Sequence, residues 1–311
     1  MPELTILTRA QGANRALIDG EVVPRGYPLS FVDEPVLVRG FRTMVRDLEY
    51  DVAEMALTTY LTAKEHGVRF TALPVFLVRD FHHGATQVRR GGPITSAKDL
   101  SGGRVGVNRG YTVTTGVWGR AALADAGLDL DSVTWVLSGD EHVASYVPPA
   151  NVVPAPEDRT LEDLLLAGEV DAVVGASIDH PDVISLVVDP DEAGLAALRE
   201  GSVFPVNHLV VVRDDLLERH PDVSVAMFEA FVEAKRRYVE RLRGGLEESR
   251  QDRLLRRVMD QSGRDPLPYG LEPNRAVLEQ LLGHALDQHI LKHSVRLEDL
   301  FVPGTLDLVD R

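Results

Sequence analysis

The sequence predicts an α/β protein of two domains with a helical C-terminal region. Three observations carry this. Short β-rich runs alternate with amphipathic stretches, the rhythm of βαβ units, so largely parallel sheets covered by helices are expected. The chain of 311 residues is longer than the ~150 of one ordinary domain. From residue 222 onward the pattern turns almost wholly helical, and MFEAFVEAKRRYVERL carries its apolar residues on one stripe.

Taken in order, LTILT (4–8) reads as a short apolar strand and PLSFVDE (28–34) as a second. FRTMVRDL (41–48) has Phe41, Met44, Val45 and Leu48 at the i, i+3, i+4, i+7 spacing of a one-sided helix. DVAEMAL (51–57) reads as a strand that ends in Thr58 and Thr59, and TALPVFLV (71–78) and GATQVRR (84–90) continue the sheet. A second unit starts near residue 91, where Gly-Gly-Pro and a short helix lead into the buried strand RVGV (104–107). Thr114 or Thr115 precedes a helical stretch ending at Gly127, a residue type suited to the backbone past a helix end. SVTWVLSG (132–139) is the next strand, and the proline-rich YVPPANVVPAPED (146–158) is expected to be irregular. Thr160 caps the helix of LEDLLLAGEVDAVVG, and a Gly turn leads to a strand at 170–174. VNHLVVV (206–212) is strongly β-forming, and the helix begun by DDLLERH stops at Pro221.

Composition narrows the partners. Thirty-three basic residues against 48 acidic ones give a net charge of -15. A nucleic-acid binder presents a basic face and an anionic membrane surface attracts basic clusters, so neither partner is expected. The absence of cysteine excludes a disulfide scaffold, a cysteine nucleophile and a thiolate metal site. No run reaches the ~18 apolar residues of a membrane span. The opening MPELTILTRAQG lacks the basic, apolar and small-residue regions of a secretory signal, so a cytoplasmic location is expected.

DLSGGRVGV and LLLAGEVDAVVG resemble the second lobe of a type 2 periplasmic-binding-protein fold. That resemblance implies a two-lobed molecule of mixed sheets with flanking helices. Lobe one is then discontinuous, residues 1–90 and 205–311 with the C-terminal helices, and lobe two is 91–204, with crossings at 89–93 and 201–206. It also implies a ligand cleft between the lobes, at strand ends and helix N-termini. The loops that follow the strands are Thr8-Arg9, Thr58-Thr59-Tyr60, Phe81-His82-His83, Asn108-Arg109-Gly110-Tyr111, Ser138 to His142, and Asn207-His208. Four of the chain's 10 histidines fall in this set, which points to proton chemistry near neutral pH.

Within NRGYTVTTG (108–116), Arg109 supplies a fork of donors suited to a carboxylate. Thr114, Thr115 and Gly116 sit where a helix begins, and free amides and the helix dipole there favour an anion. A chain at net -15 repels small anions at long range, so an anion binder needs such a local donor cluster. The plainer reading makes Thr114 or Thr115 a helix cap and leaves Arg109 solvated. Arg9, Thr58, Thr59, Asn108 and Tyr111 complete the candidate substrate contacts. In FHHG (81–84), strand alternation turns His82 and His83 to opposite faces, so they do not ligate one metal together. One of them faces the cleft as acid or base, or both are structural. Glu141 and His142 form a carboxylate-oriented imidazole, hold a substrate hydroxyl, or belong to a solvated loop. His208 either reaches the cleft or is a satisfied core histidine.

Other patterns carry less. His289 and His293 have the i, i+4 spacing of metal ligands on a late helix, without HExxH order and outside the inferred cleft, so a solvated face and no metal are expected. GASID (175–179) lacks the final glycine of a nucleophile elbow. Neither a P-loop nor a dinucleotide fingerprint is present, so no nucleotide cofactor is implied.

FRTMVRDLEYDVAEMALTTY, ALPVFLVRDFHHGA, DLSGGRVGVNRGYTVTTGVWGRAAL, SGDEH and FPVNHLVVVRDDLLERHP resemble the 4,5-dihydroxyphthalate decarboxylase family, over most of residues 40–240. The resemblance implies a carbon-carbon lyase, a carboxy-lyase acting on a small anionic aromatic substrate without a cofactor. A ring hydroxyl para to the leaving carboxylate pushes electron density into the ring as its proton is taken. A general acid protonates the carbon bearing the carboxylate, and carbon dioxide leaves as aromaticity returns. Arg109 with Thr114-Thr115 fits carboxylate binding. A histidine among His82, His83, His142 and His208 fits the acid, and Glu141 or another histidine the phenol base. The main rival is a solute-binding protein for a small organic anion, which uses the same fold and the same anion site. A third reading is another cytoplasmic lyase or dehydratase on this fold. The apolar stripe of the C-terminal helices serves either to cover lobe one or to join copies in a homo-oligomer.

Overall fold

The computed structural model describes residues 2–201 and 203–310. Met1, Ser202 and Arg311, which fall within the expected lobe ranges and the second expected crossing, lie outside the described residues. The chain opens with β1 (Leu4–Leu7), the one-turn α1 (Arg15–Ile18), β2 (Leu29–Phe31), α2 (Leu37–Asp47), β3 (Val52–Ala56), α3 (Leu57–Glu65) and β4 (Phe70–Arg79). There follow β5 (Thr86–Arg89), β6 (Arg104–Val107), α4 (Thr114–Asp125), β7 (Thr134–Leu137), β8 (Val152–Pro154), α5 (Leu161–Ala167), β9 (Ala172–Val174), β10 (Val183–Ser185) and α6 (Pro190–Arg199). The chain ends with β11 (Val206–Arg213), α7 (Asp214–Arg219), α8 (Val223–Arg243), α9 (Arg250–Ser262) and α10 (Arg275–Asp287). By packing it divides into two compact units. The first is Met1–Arg79, Val206–Glu279 and Val295–Arg311, and the second is Asp80–Pro205 and Gln280–Ser294.

Unit one is built on a sheet of order β2-β1-β3-β11-β4. β1 runs parallel to β2 and β3, and β11 runs antiparallel to β3 and β4. This register puts the start of β11 at the C-terminal ends of its neighbours: Val212 pairs with Val52, and His208 with Ala56. On the β4 side the pairing slips between Val206 and Val210, the irregularity that re-aims side chains near sites. β3 is buried along its whole length and β4 almost so, which is why both read as near-continuous apolar runs. α2 turns Phe41, Met44 and Val45 inward and ends at Leu48 in the left-handed region (φ 52°). α8 packs against α1, α9 and β4. Gly12 lies so close to the Tyr238 ring that a Cβ there would meet it at 2.1 Å, so no larger residue fits without moving that ring.

Unit two carries a sheet of order β10-β5-β9-β6-β7-β8. β9, β6, β7 and β8 are parallel, and β5 is antiparallel to β9 and β10. Its core joins Val136, Leu161, Leu164, Leu165, Val170, Val173 and Val183. Thr160 caps α5 reciprocally with Asp163, as the sequence predicts.

Several expectations need correction. The proline-rich stretch 146–158 is not wholly irregular. It contains β8, which pairs with β7 through Val152, Val153 and Pro154, and an edge strand tolerates a proline because its outer side has no ladder to complete. β5 belongs to the second sheet, so the first break in packing falls at Arg79/Asp80 rather than at 90/91. Residues 280–294 group with unit two, not with lobe one. Gln288 explains why: it accepts from Arg120 Nε at 2.8 Å and donates to the Val117 carbonyl at 3.1 Å, and Tyr146 donates to the His289 carbonyl. Thr58 and Thr59 are not loop residues, because β3 runs straight into α3 and buries both in its first turn. Thr114 and Thr115 do not cap α4; Val113 holds the cap position. His289 lies past the end of α10 with φ 59°, so it shares no helix face with His293. No helix among the described residues is long and apolar enough to cross a membrane.

Candidate active site

In unit one, three adjacent strands bring polar groups together at one end of the sheet. Thr8 follows β1, Glu54 lies in the middle of β3, and His208 lies near the start of β11. Glu54 pairs with Val210 and His208 with Ala56. Facing partners share a sheet face, and that face recurs every second residue, so Glu54 and His208 are diagonal neighbours. The Glu54 carboxylate is fully buried, a state that is costly for a charge unless donors replace water. Four donors do so. Thr8 Oγ1 donates at 2.8 Å, the Arg9 amide at 3.0 Å, Gln11 Nε2 at 3.2 Å and His208 Nδ1 at 2.6 Å. Burial pushes the Glu54 carboxyl upward, but the hydrogen bonds it accepts from His208, from Thr8 and from the Arg9 amide outweigh burial and hold the group below the ordinary carboxylate range. Asn14 braces the loop, donating to Thr8 Oγ1 at 2.9 Å and to the Arg9 carbonyl at 3.0 Å. The His208 ring meets Phe41 edge-on at 5.2 Å. Arg9 itself is exposed. A cavity of about 360 Å³ lies beside this loop, lined by Arg9, Gln11, Leu77, Val78, Tyr238 and Gln251 among others.

In unit two, the loop after β6 wraps the carboxylate of Glu141, which comes from the segment after β7. Glu141 accepts from the Tyr111 amide, from the Thr112 amide at 3.2 Å and from Thr112 Oγ1 at 2.6 Å. A Cβ at Gly110 would come within 2.6 Å of that carboxylate, so the glycine makes the approach possible. Glu141 therefore serves this loop as an internal anion. Arg109 is exposed, takes the left-handed backbone (φ 69°) and donates its amide to Ser138 Oγ at 2.8 Å. Asn108 Nδ2 donates to the Gly175 carbonyl at 2.9 Å and ties the loop to the end of β9. Tyr111 is buried, with the Arg120 guanidinium 3.9 Å above its ring. Thr114 is buried and Thr115 half-buried in the first turn of α4, where amides stand outside the helical ladder and the dipole is positive.

The histidines divide. His82 and His83 lie in the turn between β4 and β5, not in a strand. His82 is buried with its ring parallel to Trp118, and Trp118 meets His284 edge-on. His83 packs edge-on against Phe81. Burial lowers the pKa of both His83 and His284, with Asp125 opposing it. His142 is buried. Unit one thus joins Arg9 and His208, and unit two joins Asn108, Arg109, Tyr111 and Glu141. Glu54 and Gln11 escaped the sequence reading. The available signal was a lone carboxylate inside the apolar run VAEMA, which a buried strand tolerates only with partners. Among the described residues no group of three or more His, Asp or Glu is arranged to hold a metal ion.

No protein-family model matches the chain. It is 31% identical over 332 residues to a 4,5-dihydroxyphthalate decarboxylase of Comamonas testosteroni, covering 98% of this chain and 98% of that relative. It is 36% identical over 197 residues to a 4,5-dihydroxyphthalate decarboxylase of Pseudomonas putida, covering 58% of this chain and 74% of that one. Among solved structures, the periplasmic aliphatic sulphonate binding protein SsuA from Escherichia coli matches with TM-score 0.53 at 14% identity, over 98% of this chain and 99% of that chain. At that identity the likeness speaks for the fold, which is periplasmic-binding-protein-like. Sequence identity running the full length of both chains speaks for more, and on it this protein belongs to the 4,5-dihydroxyphthalate decarboxylase family.

Proposed function

We propose that this protein is a carboxy-lyase that removes one carboxylate of 4,5-dihydroxyphthalate, or of a closely similar dihydroxylated aromatic diacid. The observation that carries the reading is the full-length identity to the Comamonas testosteroni decarboxylase. Proton chemistry suffices for the step. The substrate needs a donor set for carboxylates, a base for a phenol and an acid for a ring carbon. Arg109 and the first turn of α4, with Thr114 and Thr115, supply donors of the right kind. Arg9, Thr58, Thr59, Asn108 and Tyr111 remain candidate contacts, and His82, His83, His142, Glu141 and His208 the candidate acid-base groups. The corresponding setting is the cytoplasm and the breakdown of phthalate-type aromatics.

The test is direct. Purified protein incubated with 4,5-dihydroxyphthalate is expected to release carbon dioxide and form 3,4-dihydroxybenzoate, followed by liquid chromatography with mass detection. Unchanged substrate after prolonged incubation sinks the reading. The likeness to a sulphonate-binding protein keeps one alternative in view, capture of a small organic anion without turnover. Saturable binding by calorimetry with no product would select it.

A further inference from the structure

The decarboxylation requires a group that takes a phenol proton and later returns it, and several histidines compete for that task. We propose that His208 is this group and that Glu54 is its positioning residue, an inference that rests on the decarboxylase reading above. The geometry is specific. An ionised carboxylate only accepts hydrogen bonds, so His208 Nδ1 must present its hydrogen to Glu54 across 2.6 Å. The neutral imidazole is then fixed with its lone pair on Nε2. Nε2 makes no hydrogen bond to any described residue, and the ring remains partly exposed. Phe41, edge-on at 5.2 Å, restrains the ring. Thr8, the Arg9 amide and Gln11 hold the carboxylate where it is, so it cannot swing to another partner. Positive charge developing on the imidazole therefore forms beside a carboxylate held in place. By contrast, His82 is buried with its ring parallel to Trp118, centroids 6.4 Å apart, and burial disfavours the charged form of His83, which packs edge-on against Phe81.

The step balances as follows. Nε2 takes the proton of the ring hydroxyl para to the leaving carboxylate, and the O–H bond pair moves toward the ring. The ring carbon bearing that carboxylate uses the displaced pair to bind a proton from a second acid, itself replenished from solvent. The C–C bond to the carboxylate then breaks, its electron pair restores the aromatic ring, and carbon dioxide departs. Nε2 returns its proton to the oxygen. The net change is one carboxylate and one proton converted to one C–H bond and one carbon dioxide.

The experiment uses the full-length protein labelled with ¹⁵N in histidine, with the His208 ring signals assigned by their loss in His208→Asn. The expected spectrum of the neutral ring shows hydrogen on Nδ1 and a lone pair on Nε2. In Glu54→Gln the tautomer shifts toward Nε2–H, and kcat for 4,5-dihydroxyphthalate falls about 100-fold while KM changes little, the size of effect expected of a misplaced general base. A wild-type ring protonated on Nε2 overturns the proposal, and that result holds even if the variant does not fold. A folded Glu54→Gln protein with unchanged tautomer and kcat overturns it as well. Absence of any turnover by the wild type defeats the decarboxylase reading and the role given to His208, while the tautomer still reports whether the Glu54–His208 pair exists.

Discussion

Fully buried, with four donors converging on it, Glu54 owes its ionisation to those donors. Its carboxyl titrates below its ordinary value of 4.5 in the folded protein, so below that pH the unfolded chain binds more protons and stability falls. Glu54→Gln is expected to flatten this acid limb, read as melting temperature between about pH 6 and pH 3. His83 and His284 add a second window. Burial lowers both below 6.5. As pH drops under 6.5 the unfolded histidines take protons that the folded ones refuse, so the folded state loses stability from there downward. His284→Leu removes one of these two contributions, and its melting temperature is expected to vary less with pH between about 7 and 5 than that of the wild type. An equal or steeper slope would refute the burial argument. At this scale the sequence marks the histidines but not which of them has a carboxylate. Spacing along the chain shows nothing of a contact between residues 154 positions apart.

Elements were most legible where local chemistry decides them. Thr160 caps α5, and the apolar stripes of α2 and α8 match the faces they bury. Legibility failed where a neighbour overrides the local signal: Val152–Pro154 becomes a strand because β7 offers an open edge. Two substitutions test packing between elements. Gly12→Ala drives a Cβ to 2.1 Å from the Tyr238 ring and is expected to destabilise the protein by about 1–3 kcal/mol, measured by urea unfolding. Gln288→Leu leaves the buried Arg120 Nε without the acceptor it now has at 2.8 Å. A loss of about 1–3 kcal/mol is expected, more if the full guanidinium charge is felt. A loss indistinguishable from zero would mean that Gln288 does not tie 280–294 to unit two.

Across the whole molecule the C-terminal region is divided between the units. Residues 280–294 group with unit two, and 295–311 with unit one. Phe301 bridges to Ala72, Tyr60 donates to the Leu300 carbonyl, and the buried Lys235 is paired with Asp265 and Asp310. A chain stopped after Glu279 therefore strips contacts from both units. It is expected to lose cooperative unfolding and to be cut rapidly by limited proteolysis, where a compact, protease-resistant fragment matching unit one would contradict the division.

By itself the sequence determined the α/β class and the stretches that hold polar groups at strand ends, because strand and helix periods and caps are written in neighbouring residues, and its resemblance along most of the chain pointed to the family. Tertiary structure alone decided that Glu54 faces His208, that Glu141 fills the loop after β6, and that 280–294 joins unit two. Each of these depends on which distant strands and helices lie side by side, and sheet order is a property of the folded chain rather than of any local window.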